Sequence, residues 1–115
     1  GMRLYSGDDA LNFSWLALGA SGVVSVVGHV AARQYADMVA AIDAGDLPTA
    51  RRINEQLLPV VRAVMTHTQG AITSKAALQL LGVLDHRTMR APLPDATEDE
   101  VAMLRDALAA AGLLD

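Results

Sequence analysis

Few side chains in this 115-residue chain are able to do chemistry, and one stretch gathers several of them. Ser6-Gly7-Asp8-Asp9 sets a hydroxyl, a glycine and two adjacent carboxylates between a short apolar run and a helical pattern. Two carboxylates can share acid and base work when they face a common reacting group. Neighbouring residues on a helix point about 100° apart, so Asp8 and Asp9 cannot form a facing pair there. Two readings then stay open. In one, the pair caps the adjoining helix and complements the positive end of its dipole. In the other, it stands at the C-terminal end of a strand, where α/β barrels place their active sites. Gly7 suits the second reading, because a residue without a Cβ lets a ligand approach the backbone closely.

Lys75 is the only lysine and therefore the only candidate Schiff-base nucleophile. Such a lysine needs a desolvated or electropositive pocket. Thr73-Ser74-Lys75 lies early in a short helical pattern, which predicts a side chain lying over the helix or at the surface. His29, His67 and His86 are widely separated, with no HxxxH or HExxH spacing and no cysteine to join them. No metal site is expected from that set. His29 follows the second strand candidate, at the mouth of a pocket or as a hydrogen-bonded rim histidine. Arg51-Arg52 reads as a solvated helix face, and Met65, Met89 and Met103 as core filler. Gly19 and Gly22 precede a strand rather than a helix, so they do not make a phosphate-binding loop. No cofactor is implied, and no complete catalytic constellation is present.

The elements that must position these residues divide the chain in two. Residues 3–6 form a strand candidate, and Asp8 or Asp9 is a good N-cap for the first helix. Leu11, Trp15 and Leu18 recur at helical spacing over 10–18, and the Gly19–Gly22 run ends the pattern. Val23 to Val27 is β-branched and almost continuous, as in a strand buried on both faces of a parallel sheet. A helix with Ala32, Tyr35, Val39 and Ile42 on one face comes next and ends near Gly45. Strand, helix, strand, helix is the pattern of βαβ units.

Beyond Gly45 the pattern is helical only. Asp46 can cap a helix with Pro48 in its first turn, and Ala50, Ile53, Leu57, Val60 and Val64 mark its face. Pro59 falls inside that helix and predicts a kink. A shorter helix spans about 72–81 and stops at Gly82. Residues 83–96, with Pro92 and Pro94, connect to a last helix that Thr97 and Glu100 open with a capping box. Val101, Leu104, Leu108 and Ala111 give that helix its apolar face.

Composition narrows the function classes. The chain is 52% hydrophobic with one Trp, two Tyr and one Phe, so Ala, Val and Leu supply most of its apolar character. The apolar stretch 23–32 is broken by Ser25, Gly28 and His29, short of the roughly 20 residues a membrane span needs. Asp8 and Asp9 sit where a signal peptide would be apolar. The absence of cysteine suits the cytoplasm. A net charge of −4 argues against nucleic acid as a partner. Two parallel strands joined by one crossover cannot cover both faces and their outer edges. The expectation is therefore a part of something larger, whose missing neighbours or further copies cover those faces.

The residues resemble a known family. YSGDDALNFSWLALGASGVVSVVGHVAARQ (5–34) is similar to the seventh and eighth βα units of dihydrodipicolinate synthases, also called 4-hydroxy-tetrahydrodipicolinate synthases. Its specific parts are SGDD at a strand end and, 17 residues from Gly7 to Val24, the run GVVSV. GDLPTARRINEQLLPVVRAV, SKAALQLLG and RAPLPDATEDEVAMLRDALAAAGLL resemble that family's C-terminal helices, internal proline included. The fold class implied is α/β: the last two βα units of a (β/α)8 barrel over 1–45, then a three-helix C-terminal region over 46–115, predominantly helical.

The resemblance implies a lyase that condenses pyruvate, held as a lysine Schiff base, with aspartate semialdehyde on the diaminopimelate and lysine route. It implies no cofactor, a cytoplasmic location and commonly a homotetramer. The family's Schiff-base lysine, proton-relay tyrosine and threonine, and carboxylate-binding arginine fall upstream of the matched segments. Lys75 matches a lysine of the C-terminal helices instead. The expectation is thus a fragment, inactive alone, that associates with itself and whose Gly1-Met2 start resembles an expression-tag remnant before a chosen initiator. Gly7, Asp8 and Asp9 match the family's rim motif. Val24 matches the strand-eight residue whose backbone contacts pyruvate, where isoleucine is more usual. Asn12 and Ser25 are read as helix and strand neighbours without a catalytic part. Two alternatives stand beside this one: N-acetylneuraminate lyase or another 2-keto acid aldolase, and a non-catalytic helical interaction module.

Overall fold

Two short strands and five α-helices make up the regular structure of the computed structural model, which describes all 115 residues. β1 is Tyr5–Ser6 and β2 is Gly22–Val23, paired in parallel with Tyr5 opposite Gly22 and Ser6 opposite Val23. Between them, Asp8 opens a 3₁₀ turn over Asp9–Leu11 by accepting from the Ala10 amide at 3.0 Å. α1, Asn12–Ala17, continues from that turn. Gly19, at φ 100°, then reverses the chain in the left-handed region that favours glycine.

The helices after β2 are α2 (Gly28–Asp43), α3 (Leu47–Met65), α4 (Gly70–Leu80) and α5 (Glu98–Ala110). Each of the last three starts where a local cap satisfies an orphan amide. Asp46 accepts from Thr49 N at 3.1 Å, and hydrogen bonds from Thr49 hold its carboxyl below the usual aspartate range. Gln69 Oε1 accepts from Ala71 N at 2.7 Å. Thr97 and Glu100 form the reciprocal capping box expected of them, with bonds of 3.2 and 2.7 Å. No regular element forms over 83–96.

α3 is the central helix and packs against α2, α4 and α5. Its Leu57, Val60 and Val64 are fully buried with Met38 of α2 and Leu104 and Leu108 of α5. Burial of each such side chain contributes about 1.5–3 kcal/mol. Polar stitches join the same layers. Thr73 Oγ1 donates to the Val64 carbonyl at 2.7 Å, and Gln56 Nε2 donates to the Ala111 carbonyl at 2.7 Å. Arg87 donates to the Ala96 carbonyl at 3.0 Å and pairs with Glu98, which docks the connecting segment.

Four expectations need correction. The second strand does not run from Val23 to Val27: pairing ends at Val23, and the amides of Val26 and Val27 turn to a carboxylate instead. The face Leu11, Trp15, Leu18 of α1 is exposed, at 45, 42 and 81%, whereas Asn12 and Leu16 point inward. Asn12 goes inside because both ends of its amide find partners there, which removes the penalty of burying it. In α2 the buried positions are Ala31, Tyr35, Met38 and Ala41, while Ala32 is exposed and lines an open cleft with Val39. The helix docks on α3, with further contacts to α4 and α1, and Ala32, Ala36 and Ala40 on its other side stay exposed. Irregular backbone inside a helix occurs at Ala31 (φ −133°, ψ 33°), whereas helical backbone continues through Pro59.

The accessible surface of 6848 Å² exceeds the roughly 6,000 Å² usual for a folded monomer of this mass. The radius of gyration, 14.6 Å, is likewise above the about 13 Å expected for this length. Both reflect a sheet with two strands and helices covered on one side.

Candidate functional site

The C-terminal ends of β1 and β2 bring Gly7 and Asp8 close to Val24. The Val24 amide donates to the Ser6 carbonyl at 2.7 Å, so Val24 sits beside Gly7 although 17 residues separate them. Gly7 and Asp8 are exposed, and the Val24 side chain is 71% exposed. A Cβ built on Gly7 would meet nothing within 4 Å, so packing does not require a glycine there. Its open face belongs to two clefts that Asp8 also lines. One, of about 200 Å³, includes Tyr5 and Trp15; the other, of about 570 Å³, reaches Arg62 and Thr66 of α3.

Asp9 behaves differently from its neighbour. It is 4% exposed, and both carboxylate oxygens are engaged. Oδ1 accepts from Asn12 Nδ2 at 2.8 Å and from the Ser25 hydroxyl in a short contact. Oδ2 accepts from the amides of Val26 and Val27, each at 3.0 Å. Four donors converge on it, which matches the acceptor-only valence of a carboxylate. The chain of bonds extends both ways: Ser6 Oγ donates to Asn12 Oδ1 at 2.6 Å, and Ser25 Oγ accepts from Gly28 N at 2.7 Å. Behind this network lies the Tyr35 phenol, whose pKa is pushed far above its ordinary value by burial and then by the Asp9 charge.

The remaining candidates are scattered. Lys75 is half-buried, lines none of the four clefts and donates to the Thr88 carbonyl at 2.5 Å. His29 lines the largest cleft, about 660 Å³, with Ser25, Tyr35 and the uncovered side of α2. That cleft contains none of Gly7, Asp8, Asp9 or Val24. His67 and His86 are exposed, and no three His, Asp or Glu side chains converge on a common point. No helix is long and apolar enough to cross a membrane.

Sequence reasoning sets Asn12 and Ser25 aside and places Tyr35 simply in the core, yet all three surround Asp9. One signal is present: Asn12 lies three residues after Asp9, the separation that lets two side chains meet along a helical turn. Nothing local in the sequence joins Asp9 to Ser25, 16 positions further along the chain.

Comparison with known proteins adds to this geometry. Residues 1–111 match the model of the Dihydrodipicolinate synthetase family. A 4-hydroxy-tetrahydrodipicolinate synthase of Kineococcus radiotolerans is 63% identical over 112 residues, covering 97% of this chain and 36% of that protein. The enzyme of the same name from Corynebacterium aurimucosum is 45% identical over 114 residues, covering 99% of this chain and 37% of that protein. Among solved structures, dihydrodipicolinate synthase from Thermotoga maritima superposes with a TM-score of 0.90 at 37% identity, covering 97% of this chain and 37% of that one. The chain thus spans little more than a third of the relatives it matches.

Proposed function

This chain belongs to the dihydrodipicolinate synthetase family, and from that premise we propose that it is the C-terminal part of a 4-hydroxy-tetrahydrodipicolinate synthase. In this reading 1–45 are the last two βα units of a (β/α)8 barrel and 46–115 the helical region that buttresses them. The parent lyase condenses pyruvate with aspartate semialdehyde in the cytoplasm, for lysine and diaminopimelate synthesis. A lysine amine outside these 115 residues displaces water from the pyruvate ketone, and the resulting enamine carbon attacks the aldehyde.

The observation that carries the reading is the juxtaposition of Gly7 and Asp8 with Val24 at adjacent parallel strand ends, all open to solvent. Barrel enzymes bind substrate at that end of the strands. Gly7 and Asp8 form the rim that receives the second substrate, Asp9 supports them, and Val24 offers backbone to pyruvate. Their contribution is placement of the reactants rather than bond-making. The tether of Lys75 to Thr88 supports its exclusion as the Schiff-base residue. The surplus accessible surface and the exposed Leu11, Trp15 and Leu18 support association with further chain or further copies, as a homotetramer would provide.

Two measurements test this. The open reading frame that contains this sequence, expressed whole, should consume pyruvate and aspartate semialdehyde together. The 115-residue chain, treated with pyruvate and borohydride, should show no added mass; a pyruvate adduct on Lys75 would overturn the assignment.

A further inference from the structure

A single side chain fastens the two halves of the rim. The strand ladder stops at Ser6 and Val23, and the bond from Val24 N to the Ser6 carbonyl is the last backbone link between the segments. Past that point the chain enters the Ser25–Gly28 turn that starts α2. Val27 stands at the N-cap position and offers no polar side chain, and Ser25, two residues earlier, caps only the Gly28 amide. Helix starts leave amides without intrahelical partners, and a buried amide left unpaired is costly. Here the amides of Val26 and Val27 are taken by Asp9, from the end of the other βα unit, and that of Gly28 by Ser25 Oγ. Ser25 in turn donates to Asp9.

We propose that Asp9 is a positioning residue: its buried carboxylate caps α2 from across the rim and so fixes Val24 relative to Gly7 and Asp8. The proposal rests on the reading of those three residues as the substrate rim. Asp9 cannot itself face a substrate while its two oxygens accept four bonds at 4% exposure. It acts through the turn it holds. Asn12 keeps the carboxylate oriented, and the buried Tyr35 ring lies beside Ser25 behind it.

The test uses the full-length synthase that carries this sequence, with Asp9→Ala, Asp9→Asn and Ser25→Ala. Asp9→Ala removes all four contacts. In Asp9→Asn the retained oxygen still accepts from Val26 and Val27, and a flip of the Asn12 amide presents an acceptor to the new NH₂ group. The expected result for Asp9→Ala is a rise in the pyruvate KM of about tenfold or more, with kcat at saturating pyruvate changed less than about twofold. Asp9→Asn should recover most of that loss. A purely structural role would instead lower kcat through the folded fraction and leave KM alone, and that pattern would overturn the proposal. Should Asp9→Ala not fold, Ser25→Ala removes one strut and should raise the same KM by a few fold, about twofold to fivefold.

Hydrogen exchange gives a readout independent of activity. The amides of Val26 and Val27 should exchange at least about tenfold faster in Asp9→Ala or, failing that, detectably faster in Ser25→Ala. Unchanged exchange at both amides sinks the positioning role. A wild-type enzyme that does not condense pyruvate with the semialdehyde, yet shows the exchange effect, would refute the rim reading and leave the cap across the two units standing.

Discussion

Replacing Asn12 with aspartate is the sharpest probe of the buried network, because it changes charge at nearly constant shape. The Asn12 amide nitrogen lies 2.8 Å from Asp9 Oδ1, so Asn12→Asp sets two carboxylates at that separation. With an effective dielectric of about 20, their repulsion comes to about 6 kcal/mol. Keeping a proton on the pair instead costs about 4 kcal/mol at pH 7, the price of protonating an ordinary aspartate with pKa about 3.9. The second route is cheaper, so the folded variant holds one proton between the two groups, as paired carboxylates do. That proton restores the lost donor, and the folded-state pKa of the pair lies above the unfolded value. For an acid raised in this way, the stability is fully present below the unfolded pKa and is lost as pH rises toward the folded one.

The variant should therefore lose about 4 kcal/mol at pH 7 and about 1.5 kcal/mol at pH 5, and should approach the parent near pH 4. Urea unfolding of both chains at several pH values and one ionic strength reads the difference directly, and at pH 5 enough stability should remain to measure it. A loss that stays constant within about 0.5 kcal/mol from pH 5 to 7 would refute the reasoning, since a solvated pair has no cause to retain a proton.

Tyr35 carries the complementary alkaline prediction. Its phenol is held well above the ordinary 10.0 by burial and by Asp9, so the stability it contributes is present below pH 10 and lost as pH climbs further. Tyr35→Phe should move the alkaline unfolding midpoint upward, as followed by circular dichroism, and a midpoint that does not move would mean that the phenol ionises freely in the folded chain. Gly7→Ala should change the stability of the 115-residue chain by less than about 0.5 kcal/mol, because open space surrounds the added methyl group. If Gly7 lines the proposed substrate rim, the same methyl in the full-length protein should raise the KM for the aldehyde substrate; a large loss of stability in the isolated chain would show instead that the glycine serves the fold.

Much of the helical region is legible because its signals are local. Asp46 with Thr49, and Thr97 with Glu100, meet within one turn, so their spacing alone specifies the caps that form. The face Ala50, Leu57, Val60, Val64 of α3 reads correctly because the opposite face, with Arg51, Arg52, Glu55 and Arg62, is charged and solvated, so a single apolar stripe meets all its neighbours. The faces of α1 and α2 do not read in this way. Each of those helices carries apolar residues on more than one side, and periodicity cannot say which side a neighbour will cover. Leu11, Trp15 and Leu18 remain outside for that reason, and so does Ala32.

The family and the parallel pairing of two strands are thus readable from SGDD, GVVSV and the alternation of elements. Asp8 as a cap is readable too, since its partner is two residues away. The part taken by Asp9 is not. Sequence places it beside Asp8, and only the parallel pairing of Ser6 with Val23 carries Ser25, Val26 and Val27 to its carboxylate. Two adjacent aspartates of identical chemistry are separated into an exposed cap and a buried one because Asp8 faces its own turn and Asp9 faces the start of the next helix.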